Sequence, residues 1–398
     1  MYRNLLIKNT RICCNGSLID KDELCVNGLT GLFENSLTNS SGEMDLETID
    51  LENRIIAPAF IELQINGCFG VHFTNFEDEG TYGANLEMVS RYLVQKGVGG
   101  FYVTLPTVKA DVFKKILPQL KPREYDDGAG LLGAHCEGPW LNPSKKGAHD
   151  ASLMQTPCRT SIEQLYGDND SVSAIKMVTL APELDGSTTV IEELTKGHNI
   201  RVSLGHSAAN FDTGLAALKA GATTMTHVFN AMNPLHHRSP GLAGLMVSEE
   251  SPYFSLIADG IHLHAATLAM AFRANPQKCI LITDSVEMAG LADGLYPGHA
   301  QIPHQQRKQG NQVTIEGTDT LIGSCSSLDE CIRNLTQWSG CSLAQAVQCA
   351  TENIARMMGL KDRGVIEMGR RADFVVLDDA GRVLETWIGG KAVYQSER

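Results

Sequence analysis

Four times along this chain a short apolar run ends on a side chain that can bind a metal or move a proton. Leu132-Gly133-Ala134-His135-Cys136 runs into Glu137, and a Gly138-Pro139 corner then turns the chain away. Val202-Ser203-Leu204-Gly205 runs into His206, Thr224-Met225-Thr226 into His227, and Ile280-Leu281-Ile282-Thr283 into Asp284. Runs of this length and composition, bounded by turn signals, read as strands. The chain therefore needs an architecture in which several strand ends meet.

The rest of the pattern supplies one. Strands are expected at Ile55 to Ile65, Gly99 to Leu105, Leu131 to Cys136, Ile175 to Ala181, Ile200 to Gly205, Thr223 to His227, Phe254 to Asp259 and Ile280 to Asp284. Helical stretches separate them; Leu86 to Leu93 and Thr213 to Lys219 carry apolar residues at i, i+3 and i+4. This alternation predicts an α/β protein, a (β/α)8 TIM-type barrel with its active site at the C-terminal ends of the strands. No GxGxxG follows the first strand and no Walker A pattern occurs, which removes the dinucleotide and P-loop alternatives. Helices over Leu328 to Trp338 and Leu343 to Met358 are expected to close the barrel.

Both ends of the chain read differently. Leu5 to Ile7, Cys25 to Leu29 and Thr48 to Leu51 are short strands, with a polar tract from Asn35 to Gly42 between the last two. Asp373 to Leu377, Val383 to Ile388 and Ala392 to Tyr394 follow at the other end, the first pair joined by an Asp378-to-Arg382 turn. Neither end holds a core alone, so residues 1–56 and 370–398 are expected to build one small β-sandwich beside a barrel of residues 57–369.

With 398 residues, 43% of them hydrophobic, the chain can bury a core of this size. The formal net charge of -13 is spread along the sequence, which argues against nucleic acid or an anionic membrane as partner. The 11 cysteines include no CxxC pair, and Cys279, Cys325 and Cys349 lie in apolar runs, a usage that points to reduced thiols and the cytoplasm. No run approaches the ~18 apolar residues of a membrane span, and Met1 to Lys8 is too short for a signal peptide.

A divalent metal at a hydrolytic site takes about three protein ligands and keeps an open position. Glu137, His206 and His227 offer such a set from the ends of strands three, five and six. Singly, each has a plainer reading, as a helix cap or a hydrogen-bonded histidine; jointly, at three ends of one barrel, they read as ligands. Asp284 is the natural general acid and base, its plainer reading being an N-cap. At the end of strand one, Gln64 and Asn66 point into the barrel mouth by alternation. Neutral amides bind transition metals poorly, so the expectation is one ion, not two. A Glu/His2 set suits Zn, with Fe, Co or Mn as alternatives.

Taken together, Gln64-Ile65-Asn66-Gly67, His135-Cys136-Glu137-Gly138-Pro139-Trp140, Lys145 to His149, Gly205-His206-Ser207, Thr226 to Met232 and Asp259-Gly260-Ile261-His262 resemble the N-acetylglucosamine-6-phosphate deacetylases of the amidohydrolase superfamily. Ala350 to Arg356 and Gly364 to Asp373 resemble the superfamily's ending, so the likeness covers essentially the whole chain. It implies hydrolysis of an N-acetylated amino-sugar phosphate by a homodimer with one divalent metal per subunit. It also implies that His149 and His262 contact the sugar or polarise the acetyl carbonyl, alongside Gln64 and Asn66. Asn230 and the Ala231 backbone would meet the phosphate, and Arg238 would add positive charge, acting on the neighbouring subunit's substrate. The chain departs from the family pattern at Ala59, where glycine is usual, at Glu62 and His72, where aspartate is usual, and through the loop Ser285 to Met288. Rival readings are another amidohydrolase, acting on a galactosamine phosphate or a cyclic amide, and a catalytically silent barrel. A carboxylated lysine in strand four would favour the cyclic-amide reading, and Lys176 stands at the wrong end of that strand.

Overall fold

The computed structural model describes residues 3–35, 46–299 and 301–397. Eight parallel strands follow one another in chain order across one sheet: Phe60–Ile65, Val98–Pro106, Gly130–Glu137, Ile175–Leu180, Arg201–Leu204, Thr224–Met225, Tyr253–Ile257 and Cys279–Ile282. Its two edges meet. The Asp284 N–H donates to the Gln64 carbonyl at 2.9 Å, and the Asn66 N–H to the Ser285 carbonyl at 2.8 Å. The sheet thus closes into a barrel, and its last seam, between strands one and eight, lies at the C-terminal mouth.

Inside the barrel, Ile61, Leu63, Tyr102, Leu132, Ile280 and Ile282 share one buried cluster with Ile354 and Met357 of the helix Glu352–Met358. That helix plugs the N-terminal end, where Asn353 Nδ2 donates to the Cys279 carbonyl at 2.7 Å. Outside, amphipathic helices cover the strands. Glu79–Val94 starts at Asp78, whose side chain accepts from the Thr81 N–H, and it buries Leu86, Val89 and Leu93.

The terminal segments form a second eight-stranded sheet, in the order Lys391–Gln395, Val383–Ile388, Phe374–Leu377, Ile55–Pro58, Asn4–Cys14, Ser17–Asn27, Leu32–Glu34, with Leu46–Asp50 paired to Asn4–Cys14. It folds over on itself. Phe33 and Phe374 have three strands between them in the ladder, yet their ring centroids are 6.1 Å apart and the Phe33 N–H donates to the Arg370 carbonyl at 2.9 Å. Leu24, Val26, Phe33, Ile56, Phe374 and Trp387 fill the space between the layers. The first strand is longer than expected because Asn15 and Gly16, with φ of 48° and 73°, make a tight turn that pairs Cys14 with Ser17. The polar tract expected from Asn35 to Gly42 lies, from residue 36 onward, outside the described residues.

Three expectations need correction. The run Ile55 to Ile65 is two strands, the first in the terminal sheet and the second in the barrel, so the sheets change over at Ala59, past the boundary expected at residue 56. There the Ala59 N–H donates to the Asp373 carbonyl at 3.0 Å, and its Cβ leaves so little room that a Cβ on Gly99 would stand 2.5 Å away. The helix expected over Leu343 to Met358 is two, Leu343–Cys349 and Glu352–Met358. The Ile61 N–H of barrel strand one takes the Ala350 carbonyl at 2.9 Å, which removes it from the helical ladder. Between strand eight and these helices a four-stranded antiparallel sheet is inserted: Gly294–Tyr296, Gln306–Gln309, Gln312–Ile315 and Leu321–Ser324. Its buried positions include Gln306 and Lys308, so no apolar alternation marks it.

Candidate active site

Glu137 is the last residue of the third barrel strand, while His206, His227 and Asp284 each stand two residues past the ends at Leu204, Met225 and Ile282. These last three share a left-handed backbone, with φ of 48°, 30° and 48°. Such a turn costs a non-glycine residue about 1–3 kcal/mol, and here it swings each side chain inward over the barrel axis. Glu137 Oε1 lies 3.0 Å from His227 Nε2 and 3.3 Å from His206 Nε2, and the two imidazole nitrogens are 3.2 Å apart. Burial alone would raise the Glu137 carboxyl, but hydrogen bonds from His149, His206 and His227 outweigh it and hold the group well below the usual carboxylate range.

One carboxylate oxygen and two imidazole nitrogens, all within 4.8 Å of one another and all buried, fit a divalent transition metal. One supporting contact agrees, at His206. His206 Nδ1 lies 2.9 Å from the Lys145 carbonyl and so carries the proton, leaving Nε2 as a lone-pair donor. His227 Nδ1 is buried without a partner. Lys176 sits at the far end of strand four, its Nζ on the Ser173 carbonyl at 2.7 Å, and does not reach the mouth.

The barrel seam holds Asp284 in place. Gln64 Nε2 donates to both Glu137 Oε1 and Asp284 Oδ1 at 3.1 Å, and Asn66 Nδ2 donates to Asp284 Oδ1 at 2.8 Å. Burial and the nearby Glu137 charge push the Asp284 carboxyl up to about 6. Beneath the seam, Glu62 is 1% exposed and accepts from the backbone N–H groups of Gln64 and Thr283, each at 3.3 Å. Burial pushes it up to about 8.

Asn66, Glu137, His149, His227, His262 and Asp284 face a cavity of about 310 Å³, with Asn230 and Ala231 on its wall. His149 is buried there; its Nδ1 accepts from the Thr107 N–H at 3.2 Å, so Nε2 carries the proton and points at Glu137 Oε2, 3.7 Å away. His262 Nδ1 lies 2.6 Å from Asp259 Oδ2. Asn230 Nδ2 is buried without a partner. Two expected members lie apart. Gln64 is hidden beneath the cavity as a support for Glu137 and Asp284 and is not on its wall, and Arg238 is exposed on the loop after Ala231, away from the cavity of its own chain.

A model of the amidohydrolase family matches residues 55–393. The chain belongs to the amidohydrolase family. This amidohydrolase is 39% identical to the N-acetylglucosamine-6-phosphate deacetylase of Rattus norvegicus, over 99% of its own length and 96% of the relative's. It is 32% identical to an N-acetylgalactosamine-6-phosphate deacetylase of Escherichia coli O157:H7, over 85% of this chain and 87% of that one. Among solved structures, the N-acetyl-D-glucosamine-6-phosphate deacetylase of Mycobacterium smegmatis in complex with N-acetyl-D-glucosamine-6-phosphate superposes with a TM-score of 0.83 at 26% identity, covering 99% of this chain and 100% of that one.

Several groups that shape the amidohydrolase site escape sequence reasoning. Asp259 orients His262, and its position three residues upstream in Asp-Gly-Ile-His is the signal for it. Thr107 and the Lys145 carbonyl set the histidine tautomers, for which a sequence carries no mark. Below the ligands His135 Nε2 meets Thr179 Oγ1 at 2.8 Å, and Thr179 meets Thr226 at 2.8 Å, a buried polar chain that stiffens the floor. Finally, Asp319, Thr320 and Leu321 of the inserted sheet reach the cavity rim.

Proposed function

We propose that this amidohydrolase removes the N-acetyl group of N-acetyl-D-glucosamine 6-phosphate, giving acetate and D-glucosamine 6-phosphate. The observation that carries the reading is the convergence of the Glu137, His206 and His227 donor set with Asp284 in one cavity. A divalent ion held by those three residues, zinc first and Fe, Co or Mn by supply, provides Lewis-acid polarisation of the amide carbonyl and a more acidic water.

The chain's own groups do the rest. Both amide contacts to Asp284 fall on Oδ1, which leaves Oδ2 to exchange the proton. Asp284 takes a proton from the attacking water as its oxygen bonds to the acetyl carbon. It returns that proton to the nitrogen as the C–N bond breaks, and acetate and the free amine leave. His149 Nε2–H donates to the oxygen on which negative charge develops. His262, its Nδ1 proton spent on Asp259, offers Nε2 as an acceptor to a sugar hydroxyl.

The phosphate end rests on backbone geometry. His227, Phe229 and Ala231 have φ of 30°, 78° and 51°, alternating with Val228 and Asn230 at negative φ. The His227, Val228 and Asn230 N–H groups are taken by Ser255 and the His227 carbonyl, so the donors this turn offers an anion are the Ala231 N–H and the unpartnered Asn230 Nδ2, both on the cavity wall. No lysine or arginine is among the described residues on the cavity wall. Exposed Arg238 fits a homodimer in which it serves the neighbouring copy's substrate. The chemistry lies wholly in the barrel unit that begins past the changeover at Ala59. The absence of any disulfide among the described cysteines suits the cytoplasm, and no described helix is long and apolar enough to cross a membrane.

Acetate release tests the reading, with N-acetylglucosamine 6-phosphate set against its unphosphorylated parent and against N-acetylgalactosamine 6-phosphate. The phosphorylated gluco sugar is expected to turn over fastest. Equal rates with and without phosphate would remove the proposed anion site, and faster turnover of the galacto sugar would transfer the assignment to that epimer.

A further inference from the structure

Two of the departures noted in the sequence, His72 and the loop Ser285 to Met288, have no part in the chemistry above, and the fold brings them together. His72 ends the small hairpin Gly67–Cys68 and Val71–His72 that follows barrel strand one. Glu287 lies in the loop after strand eight, and His299 precedes the inserted strand Gln306–Gln309. The His72 and His299 rings stack with centroids 4.0 Å apart, and His299 Nε2 lies 3.5 Å from Glu287 Oε1. One nitrogen from each histidine and one Glu287 oxygen all lie within 4.8 Å of one another.

The cluster is largely buried and short of partners. The His72 residue is 2% exposed, and the side chains of His299 and Glu287 are 6% and 13% exposed. Even so, His299 Nε2 and Glu287 Oε2 are buried with no hydrogen-bond partner, and so is Oε1 of Gln306, whose Nε2 donates to Glu287 Oε1 at 3.1 Å. Burying polar atoms unpaired is costly, and two of these belong to side chains that bind metals through those very atoms.

We propose that His72, Glu287 and His299 hold a second divalent transition-metal ion of the zinc class, in a structural role, separate from the Glu137, His206 and His227 set. The geometry selects the ligand atoms. His72 Nδ1 accepts from the Thr74 N–H at 3.2 Å with the Thr74 hydroxyl 2.7 Å away, so ligation through Nε2 moves the ring proton to Nδ1, gives up the N–H contact and turns that proton onto Thr74 Oγ1, the outer-shell arrangement that metal-binding histidines use. At His299 the Gln301 N–H reaches Nδ1 over a long 3.3 Å. Ligation through Nε2 moves the ring proton to Nδ1 and gives up that contact, which frees Gln301, a residue on the wall of the catalytic cavity. Gln306 Oε1 or a water completes a four-coordinate site. Each protein ligand comes from a different segment, so the ion clamps the inserted sheet to the mouth of the barrel at its closing seam. Without an ion, the cluster would rest on the Gln306 contact to Glu287 and on a hydrogen bond between His72 and the Gln301 side chain.

Metal content of the zinc-saturated, desalted full chain separates these cases. Wild type is expected to hold two equivalents per chain by mass spectrometry of the metal. Glu137→Ala should keep one, and adding either His299→Gln or Glu287→Gln to it should remove that one too. Circular dichroism checks that each variant is folded. Chelator should lower the Tm of Glu137→Ala and leave the two double variants unmoved. A wild type with one equivalent, a folded Glu137→Ala with none, or a second ion that survives both His299→Gln and Glu287→Gln would overturn the proposal.

Discussion

The two ends of the barrel treat charge in opposite ways. At the N-terminal end, beside a cavity of about 590 Å³, Arg363 is 5% exposed and donates to Glu124 at 2.5 Å and to Asp362 at 2.9 Å, while Arg371 pairs with Asp373 at 2.9 Å. Burial would raise the Asp362 carboxyl, but its Arg363 contacts outweigh this and hold it below the usual range. At the C-terminal mouth two carboxylates, Glu137 and Asp284, share Gln64 Nε2 with no arginine or lysine among the described residues of the cavity wall, and Asp284 is pushed up to about 6. The larger of these two cavities is thus the one whose carboxylates are already answered by arginine. Volume is a poor guide to chemistry here, and unanswered charge at strand ends is the better one.

Substitutions at each end should separate the two kinds of contribution. The largest effect is expected for Glu137→Ala, which removes the only anionic member of the catalytic donor set. Turnover should fall to background with loss of the catalytic ion, checked by acetate release and metal analysis; retention of both would break the contrast. Arg363→Ala should act on stability alone, by about 3 kcal/mol in chemical denaturation. That is the lower edge for breaking a buried pair, because the Glu124 and Asp362 side chains are 42% and 50% exposed and can be resolvated. Its kcat per folded molecule should match wild type, and a large kcat loss would show that the N-terminal end reaches the chemistry.

A smaller, pH-dependent effect should come from Glu62, midway between these regimes. Its carboxyl lies at about 8 when folded against an ordinary 4.5. Between those values the folded chain keeps a proton that the unfolded chain loses, so Glu62 costs stability as pH rises through the window. Glu62→Gln stays neutral and keeps an oxygen for the Gln64 and Thr283 N–H groups. Its stability relative to wild type should grow with pH across that window, by at most about 1.4 kcal/mol per unit. A pH-independent difference would mean that Glu62 is ionised in the folded state.

The barrel and its four strand-end groups were legible because each strand is a short apolar run that stops at one chemically distinct residue. Position along the chain then translates directly into position at the mouth. Other features depend on contacts distant in sequence. The break at Ala59 follows from the Asp373 carbonyl, and the helix interruption near Ala350 from the Ile61 N–H. The inserted sheet hides because its inward positions include Gln306 and Lys308. The left-handed turns at His206, His227 and Asp284 carry no glycine to announce them. Arg363 reads as an ordinary charge until the fold places Glu124 beside it.

Asp284 is the group that moves the proton, distinct from those that would hold the ion. The decisive measurement is kcat for acetate release from N-acetylglucosamine 6-phosphate by Asp284→Asn, with metal equivalents counted on the same sample. The predicted result is a fall of about 10²- to 10⁴-fold with the catalytic metal retained. Near wild-type turnover in a fully loaded Asp284→Asn protein would contradict it.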